Sequence, residues 1–307
     1  MKKNAFCFLY LFLFVFLSTC AYGESAPLVI ENITEERPDT FSCTFDGVKH
    51  HFLLCLPEKA EGAPLVLMLP GYGNTAEVFR STVHFEEAAN PLGYAVVYVT
   101  GAPDPDDPTS AIGWHSDSGT EGNRDVEFLV SLAEYLQETW SLDKAHTYAV
   151  GFSNGAFMTH RLAMENNNNF AACVSVAGLM PESVWEARRE ENRIGFFQIT
   201  GEKDDVVPKN SDGSARYSKA PAIEDVVAYW ASSNGLDEQE ICQMEDSSVL
   251  TKYTGDGAAQ QVWHLFVSGG RHSWPHGQFG QPDANALILE FFKAQDSTEK
   301  TSENCAS

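Results

Sequence analysis

The sequence is short of positive charge. Its 307 residues carry 20 Lys and Arg against 43 Asp and Glu, a formal net charge of −23. Beyond the first three residues, no basic run is longer than the pair Arg188-Arg189. Nucleic-acid binding needs clustered Lys and Arg to displace phosphate counterions, and a strongly negative chain repels anionic membranes and acidic polymers. We therefore expect no nucleic-acid partner, and a substrate that is neutral or aromatic.

Long apolar runs are also scarce. The N-terminal run from Ala5 to Leu17 is uncharged, but it is shorter than the roughly 20 residues that a membrane-spanning helix needs. It follows Lys2-Lys3 and precedes the small residues of Ala21-Tyr22-Gly23, an arrangement typical of a cleaved export signal. We predict a signal peptide over residues 1–23, a secreted protein, and no integral membrane segment in the mature chain. Lipid attachment at Cys20 is the alternative.

The sequence also lacks the cysteine and histidine spacings of metal sites, because it contains no Cys-x-x-Cys pair. Removal of the signal would leave five of the seven cysteines: Cys43, Cys55, Cys173, Cys242 and Cys305. An odd number means that at least one is unpaired or bonded between chains. Cys173 lies in an apolar segment and is predicted to be a buried free thiol, whereas the other four could pair in three ways. We expect disulfide bonds in an exported chain, and neither zinc nor another metal.

What remains is the composition of a globular protein, 43% hydrophobic and 21% charged. Short apolar segments alternate with segments of helical periodicity. Strands are predicted at 41–45, 52–56, 64–69, 95–99, 146–150, 172–176, 194–199 and 262–267, and helices at 125–140, 221–233 and 284–292. This alternation is typical of an α/β fold, a mostly parallel central sheet with helices on both faces. We predict one domain over residues 24–295 and a polar C-terminal tail over residues 296–307.

The segment Gly151-Phe152-Ser153-Asn154-Gly155 lies between a predicted strand and a segment of helical character. A serine hydroxyl is a weak nucleophile until a base removes its proton, and it must stand clear of its own backbone. Gly-x-Ser-x-Gly on a sharp strand-to-helix turn provides that exposure, because the glycines let the strand and the helix approach closely. An ordinary Gly/Ser turn would need no such flanks. The context therefore favours Ser153 as a nucleophile.

A nucleophile elbow of this kind predicts the order serine, acid, histidine along the chain. Asp204 and Asp205 follow the strand predicted at 194–199. His272 is flanked by glycines after the last predicted strand, and His276 is its nearest competitor. Both missing partners of a catalytic triad are thus present in the expected order, with one of the two aspartates left as a solvated turn residue.

The tetrahedral intermediate of acyl transfer needs hydrogen-bond donors for its oxyanion. We expect one donor in the backbone N–H of Asn154, which follows the nucleophile, and a second in that of Tyr72, in the glycine-rich turn after the strand at 64–69. Trp114 and Trp274 are the aromatic residues closest in sequence to these loops. They are candidate substrate-binding residues, since an indole face suits a sugar or a phenolic ring, but packing of the loops explains them equally well.

Five motifs together resemble the group of α/β hydrolases that contains secreted polyhydroxybutyrate depolymerases, feruloyl esterases and acetyl xylan esterases. They are Leu-Pro-Gly-Tyr-Gly (69–73), Gly-Trp-His (113–115), Gly-Phe-Ser-Asn-Gly-Ala (151–156), Gly-x-x-Asp-x-x-Val-Pro (201–208) and Gly-Gly-x-His-x-Trp-Pro (269–275). The resemblance implies an α/β-hydrolase fold without a cofactor, with Ser153 as nucleophile, His272 as base and Asp204 as acid. Asp204 is preferred to Asp205 because it stands four residues before Pro208. The family commonly has His-Gly where this chain has Pro70-Gly71.

The resemblance also implies a function. It predicts a serine carboxylic ester hydrolase that acts through an acyl-enzyme and removes feruloyl or acetyl groups from plant cell-wall polysaccharide or its fragments. Within the same chemistry, the alternative is depolymerisation of a polyhydroxyalkanoate such as polyhydroxybutyrate. From another class, the alternative is a binding protein that keeps the fold without catalysis, although such a protein would normally lose part of the triad.

Overall fold

A computed structural model describes residues 29–104, 107, 109–119, 124–165, 168–190, 192–208, 219–256 and 260–296. The predicted signal peptide and the tail beyond residue 296 lie outside these ranges. Within them, no helix is long and apolar enough to cross a membrane.

The described residues form eleven strands and seven α-helices. The strands are β1 (Glu31–Arg37), β2 (Thr40–Phe45), β3 (Val48–Cys55), β4 (Leu65–Leu69), β5 (Ala95–Val99), β6 (Thr147–Phe152), β7 (Ala172–Val176), β8 (Gly195–Gly201), β9 (Glu238–Gln243), β10 (Val249–Thr254) and β11 (Val262–Val267). The helices are α1 (Ala76–Val83), α2 (Phe85–Ala89), α3 (Asp125–Trp140), α4 (Asn154–Glu165), α5 (Glu182–Glu186), α6 (Ile223–Ser233) and α7 (Ala284–Asp296). Short 3₁₀ turns lie at Asn90–Leu92 and Gln278–Gly280.

All the strands of the described part belong to one sheet, in the order β1-β2-β3-β5-β4-β6-β7-β8-β11-β10-β9. The six strands from β5 to β11 in this order are parallel to one another. Antiparallel strands extend the sheet on both sides. The predicted mostly parallel sheet is therefore confirmed, and its central parallel strands all end at the same edge.

Each face of the sheet carries its own apolar layer, as alternation along the strands requires. In β4, for example, Leu65, Leu67 and Leu69 face the layer that contains α3, α4 and α6. Val66 and Met68 face the opposite layer, with α1, α2 and α7. Because helices cover both faces, the central strands are apolar throughout, and this is why the sequence displays them as continuous apolar runs.

Every strand and helix predicted from the sequence is present, with the largest shifts at the start of β3 and the end of α7. Three strands were not predicted: β1, β9 and β10. The outermost strands β1 and β9 are exposed along nearly their whole length, so neither has an apolar face that would give a strand pattern. Residues 31–37, for which the sequence predicts no strand, thus form an edge strand of the described sheet. The short helices α1, α2 and α5 were also missed.

The four cysteines in the described part of the chain comprise one disulfide-bonded residue and three free thiols. Cys242 on β9 is in a disulfide bond, whereas Cys43, Cys55 and Cys173 are free and buried. The prediction that Cys173 is a buried free thiol is confirmed, and burial raises its pKa above the ordinary value of a thiol. The expectation of several disulfides is not met among the described cysteines, because Cys43 and Cys55 stay reduced inside the sheet layers.

Two glycines determine how closely α4 approaches the sheet. A Cβ placed on Gly155 would lie 2.1 Å from the carbonyl oxygen of Leu69 in β4. A Cβ placed on Gly151, at the end of β6, would lie 2.0 Å from the carbonyl oxygen of Gly155. Real side chains do not tolerate such distances to backbone atoms, so the start of α4 rests directly on the two strands only because both residues are glycine.

We expect Gly155→Ala to destabilise the protein by about 3 kcal/mol or more, since the added methyl group must push α4 away from β4. Gly255→Ala is the matched control, because the nearest atom to its new methyl group would be 3.3 Å away. Chemical denaturation followed by circular dichroism measures both free energies of unfolding. Equal stability of the two variants would mean that α4 does not lie as close to the sheet as described.

Candidate active site

Ser153 lies alone between two regular elements, β6 and α4. Its backbone adopts a left-handed conformation with φ of 54°, which is unfavourable for a residue with a Cβ. The backbone N–H of Ser153 donates to Val176 of the neighbouring strand at 3.0 Å, and its carbonyl accepts from Phe157 in α4 at 3.0 Å. The turn is thus held from both sides, and the predicted strand-turn-helix context of the serine is confirmed.

Three side chains from three loops form a continuous hydrogen-bonded chain. Ser153 Oγ is 2.9 Å from His272 Nε2, and His272 Nδ1 is 2.8 Å from Asp204 Oδ2. Ser153 follows β6, Asp204 follows β8 and His272 follows β11, so all three extend from the carboxyl ends of parallel strands. The residues predicted from the sequence are therefore the ones that the fold brings together.

Both oxygens of the Asp204 carboxylate have hydrogen-bond partners. Its Oδ1 accepts from the backbone N–H groups of Val206 at 2.9 Å and Val207 at 2.8 Å, and its Oδ2 contacts His272. The Asp204 side chain is only 2% exposed, whereas Asp205 is exposed. Geometry thus distinguishes the two neighbouring aspartates, in favour of Asp204.

The ring of His272 is also fixed by packing. Its side chain is 16% exposed, and its ring lies 5.1 Å from that of Phe152, the residue before the serine. His276, the competing histidine, is exposed, and its backbone pairs with Asp283. His276 therefore has no place in the hydrogen-bonded chain.

The loop after β4 borders the serine. A Cβ placed on Gly71 would lie 3.3 Å from the Cβ of Ser153, which brings the next residue, Tyr72, close to the nucleophile. The N–H groups of Tyr72 and Asn154 donate to no residue that the structure describes, whereas the N–H of Gly73 donates to Ile112 at 2.8 Å. The two predicted oxyanion donors are thus available, one from the loop and one from the first turn of α4.

The side chain of Asn154 joins the elbow to the long loop between β5 and α3. Its Oδ1 accepts from the backbone N–H of Trp114 at 2.7 Å, and its Nδ2 donates to the carbonyl of the same residue at 2.9 Å. This amide therefore completes both backbone hydrogen bonds of Trp114, as a neighbouring strand would. The Gly-x-Ser-x-Gly motif indicates a role only for the backbone of Asn154, and nothing in the motif signals that its side chain reaches residue 114.

The two tryptophans proposed for substrate binding are buried, with exposures of 4% for Trp114 and 5% for Trp274. The indole N–H of Trp114 donates to the carbonyl of Pro70 at 3.1 Å, and that of Trp274 donates to Asn285 at 3.0 Å. Trp274 also packs against Phe79. Because both rings are enclosed by protein, the structure favours loop packing, and a substrate-binding role for either tryptophan is not supported.

His115, in the same loop as Trp114, is held by a carboxylate. Asp125 Oδ2 accepts from the backbone N–H of His115 at 2.8 Å and lies 3.1 Å from its Nδ1. The hydrogen bond to Asp125 raises the pKa of His115 above its ordinary value. Arg161 of α4 donates to the carbonyl of His115 at 2.7 Å and pairs with Glu165. This network anchors the loop to α3 and α4.

The described residues contain no group of three or more His, Cys, Asp or Glu side chains that could hold a metal ion. The groups that border Ser153 are a histidine, a buried carboxylate and backbone amides. Such a set can move a proton from the serine hydroxyl and bind a negatively charged oxygen. Nucleophilic acyl transfer requires both of these abilities.

Residues 61–220, more than half of the chain, match the model of the serine hydrolase family FSH1. The chain belongs to this family. The matched range includes Ser153 and Asp204, whereas His272 lies beyond it.

Three curated relatives are esterases by name. The chain is 28% identical to NocK of Nocardia uniformis subsp. tsuyamanensis, a proposed esterase, over 248 residues that cover 73% of this chain and 69% of NocK. It is 25% identical over 148 residues to a bifunctional acetylxylan esterase/xylanase of Neocallimastix patriciarum, covering 48% of this chain and 20% of that protein. With acetylxylan esterase A of Emericella nidulans it shares 24% identity over 133 residues, 42% of either chain. The chain thus spans less than half of the two acetylxylan esterases.

Solved structures establish the fold. An acetyl xylan esterase from Aspergillus awamori superposes with a TM-score of 0.60 at 15% identity, covering 80% of this chain and 94% of that one. A protein described as native sOPH gives a TM-score of 0.56 at 14% identity, covering 86% and 88%. The predicted α/β-hydrolase fold is confirmed, and at these identities the likeness concerns the fold alone.

We expect Asn154→Ala to lower kcat for p-nitrophenyl acetate by about 10²-fold, because loss of both hydrogen bonds to Trp114 lets the loop and the elbow move relative to each other. The exposed Asn168, which precedes β7 at the opposite end of the sheet, supplies the control Asn168→Ala. Steady-state kinetics on the wild type and both variants measure the effect. A kcat for Asn154→Ala equal to that of the control would show that the two hydrogen bonds between the Asn154 side chain and Trp114 are dispensable for catalysis.

The contact between His115 and Asp125 predicts a pH dependence. Since the folded pKa of His115 is raised, this pair stabilises the protein at pH values below the ordinary histidine pKa, and the contribution is lost as the pH rises through the folded value. NMR titration of His115 measures that pKa, and we expect Asp125→Asn to lower it. Asp104, whose carboxylate is 4.0 Å from His115 Nε2, provides the comparison Asp104→Asn, with a smaller expected change. An unaltered pKa in Asp125→Asn would contradict the assignment.

Proposed function

We propose that this serine hydrolase is a secreted esterase that cleaves carboxylic esters through an acyl-enzyme, with Ser153 as nucleophile, His272 as general base and Asp204 as the orienting acid. One observation carries the proposal. The hydrogen-bonded chain from Ser153 Oγ through the imidazole to Asp204 has both contacts below 3.0 Å, on an elbow whose backbone turns the serine out of the sheet.

In the first half-reaction, Ser153 Oγ attacks the carbonyl carbon of the ester while its proton passes to His272 Nε2. Asp204 accepts the hydrogen bond from Nδ1–H, which fixes the tautomer that leaves Nε2 free to accept a proton. The same carboxylate stabilises the imidazolium that forms. As the C–O bond to the alcohol breaks, His272 returns the proton to the departing oxygen and the acyl group remains on the serine.

In the second half-reaction, water takes the place of the alcohol. His272 removes one proton from the water as its oxygen attacks the acyl carbon, and then returns that proton to Ser153 Oγ as the acid leaves. The net change is addition of one water molecule across the ester. All three side chains return to their starting protonation states at the end of the cycle.

The carbonyl oxygen becomes negatively charged in both tetrahedral intermediates. We assign its two donors to the backbone N–H groups of Tyr72 and Asn154, which donate to no other residue in the described part of the chain. The position of Gly71 against Ser153 supports this assignment. Removal of one such donor typically costs about 2.7–4 kcal/mol of transition-state stabilisation.

For the substrate, we propose acetyl or feruloyl esters of plant cell-wall polysaccharide or its fragments. Two of the curated relatives are named for acetylxylan esterase activity, and the chain-wide charge of −23 disfavours acidic polymers relative to neutral ones. The signal-like N terminus supports secretion, which such a substrate requires.

Ser153→Ala should lower ester hydrolysis by about four orders of magnitude or more without loss of folding, because only one oxygen atom is removed. The matched control is Ser232→Ala, at an exposed serine of α6. Acid release is measured on acetylated xylan, methyl ferulate, p-nitrophenyl acetate and a polyhydroxybutyrate suspension. Labelling by a fluorophosphonate identifies the nucleophile.

Loss of both turnover and labelling in Ser153→Ala alone is the expected result. Retained hydrolysis in that variant would exclude Ser153 as nucleophile. A folded wild type that neither hydrolyses these esters nor reacts with the probe would overturn the enzyme assignment in favour of a binding protein, and exclusive release from polyhydroxybutyrate would overturn the polysaccharide assignment.

A further inference from the structure

Tyr72 has an unusual exposure for its position. It is 60% exposed, and among the described residues it is the only aromatic one with a strongly exposed side chain. It follows Gly71, which borders Ser153. An exposed aromatic ring thus lies beside the nucleophile, whereas the two tryptophans of the neighbouring loops, Trp114 and Trp274, are buried.

The loop that carries Tyr72 is pinned on both sides of the residue. The N–H of Gly73 donates to the carbonyl of Ile112 at 2.8 Å, and the carbonyl of Pro70 accepts from the indole of Trp114 at 3.1 Å. Because these contacts fix the backbone before and after Tyr72, they also fix the position from which its side chain extends. Exposure of this side chain is therefore not a sign of a loose loop.

The ring itself has a support on one side. A Cβ placed on Gly113 would lie 2.8 Å from Cδ2 and 3.3 Å from Cε2 of the Tyr72 ring, so the ring lies directly on a residue that lacks a side chain. The same glycine would place a Cβ 3.0 Å from Asn154 Oδ1. Tyr72 thus packs against Gly113, next to the Asn154 side chain that bonds to Trp114, while the rest of the Tyr72 side chain remains exposed to solvent.

We infer that the Tyr72 side chain binds the alcohol part of the ester, and that this part is a neutral sugar ring. This inference rests on the proposed function and assigns its alcohol. In this assignment the backbone N–H of Tyr72 binds the carbonyl oxygen, and the side chain of the same residue binds the alcohol attached to that carbonyl. A supported, rigid tyrosine offers a flat apolar surface to the C–H face of a sugar and a hydroxyl to its oxygens, with little loss of side-chain entropy.

Tyr72 thus takes the substrate-binding role for which Trp114 and Trp274 are the candidates in the sequence. Trp114 and Trp274 are enclosed, whereas Tyr72 offers an exposed aromatic surface, the only strongly exposed one among the described residues. Trp114 contributes indirectly, since its indole fixes Pro70.

The test compares two acetate esters that differ only in the alcohol: acetylated xylotriose, which has sugar rings, and ethyl acetate, which has none. The quantity measured is the ratio of their kcat/KM values in one and the same variant, so that any change in the catalytic loop cancels. Tyr72→Ala should lower this ratio about three- to tenfold relative to the wild type. Tyr72→Phe should retain most of the wild-type ratio, because it keeps the ring.

Leu92→Ala is the control for loss of an exposed apolar side chain, since Leu92 is 49% exposed and precedes β5, at the end of the sheet opposite to Ser153. Its ratio should equal that of the wild type. Binding of acetylated xylotriose to Ser153→Ala, with and without Tyr72→Ala, gives a second measurement that needs no turnover. Weaker binding in the double variant is expected.

The inference is wrong if Tyr72→Ala lowers both kcat/KM values equally or leaves the ratio unchanged, while the wild type still prefers acetylated xylotriose. That result would leave the proposed function intact. A wild type that hydrolyses ethyl acetate but not acetylated xylotriose would overturn the sugar assignment, and a wild type inactive on every ester would overturn the proposed function itself.

Discussion

The left-handed backbone of Ser153 is the constraint on which the rest of the site depends. A residue with a side chain adopts this conformation at a cost of about 1–3 kcal/mol, and it persists only where its surroundings leave no alternative. Here Gly151 and Gly155 let α4 lie against β6 and β4 at distances that no other residue would allow, and the hydrogen bond to Val176 fixes the turn from the neighbouring strand. The strain is thus balanced by packing of the whole sheet layer.

The parallel sheet then brings the other groups to this turn. Loops from β4, β6, β8 and β11 meet at one edge because the carboxyl ends of parallel strands lie together. Each loop is fixed by its own local contacts: Asp204 binds the backbone of its own turn, and Asn154 binds that of Trp114. The site therefore combines long-range placement by strands with short-range locking by side chains, and this is the rigidity that preorganised transition-state stabilisation needs.

Much of this could be predicted from the sequence, because a nucleophile elbow fixes both a local geometry and an order of partners. Ser153, Asp204 and His272 follow from those two rules together with the family resemblance. The edge strand β1 could not be predicted, since it has no apolar face. Nor could the burial of Trp114, because a loop sequence does not reveal which of its aromatic side chains the fold encloses. The hydrogen-bond partner of the buried indole is the carbonyl of Pro70, which is distant in sequence.

The outermost strands of the sheet have a further consequence. Unpaired edges invite a second chain to add its own strand, and this is a common route to fibrils. Both edges here are rich in carboxylates, with Glu35 and Glu36 on β1 and Glu238 and Glu240 on β9. An approaching copy of the same edge would meet like charges. The acidic composition that disfavours anionic partners therefore also disfavours edge-to-edge pairing between two copies of the described sheet.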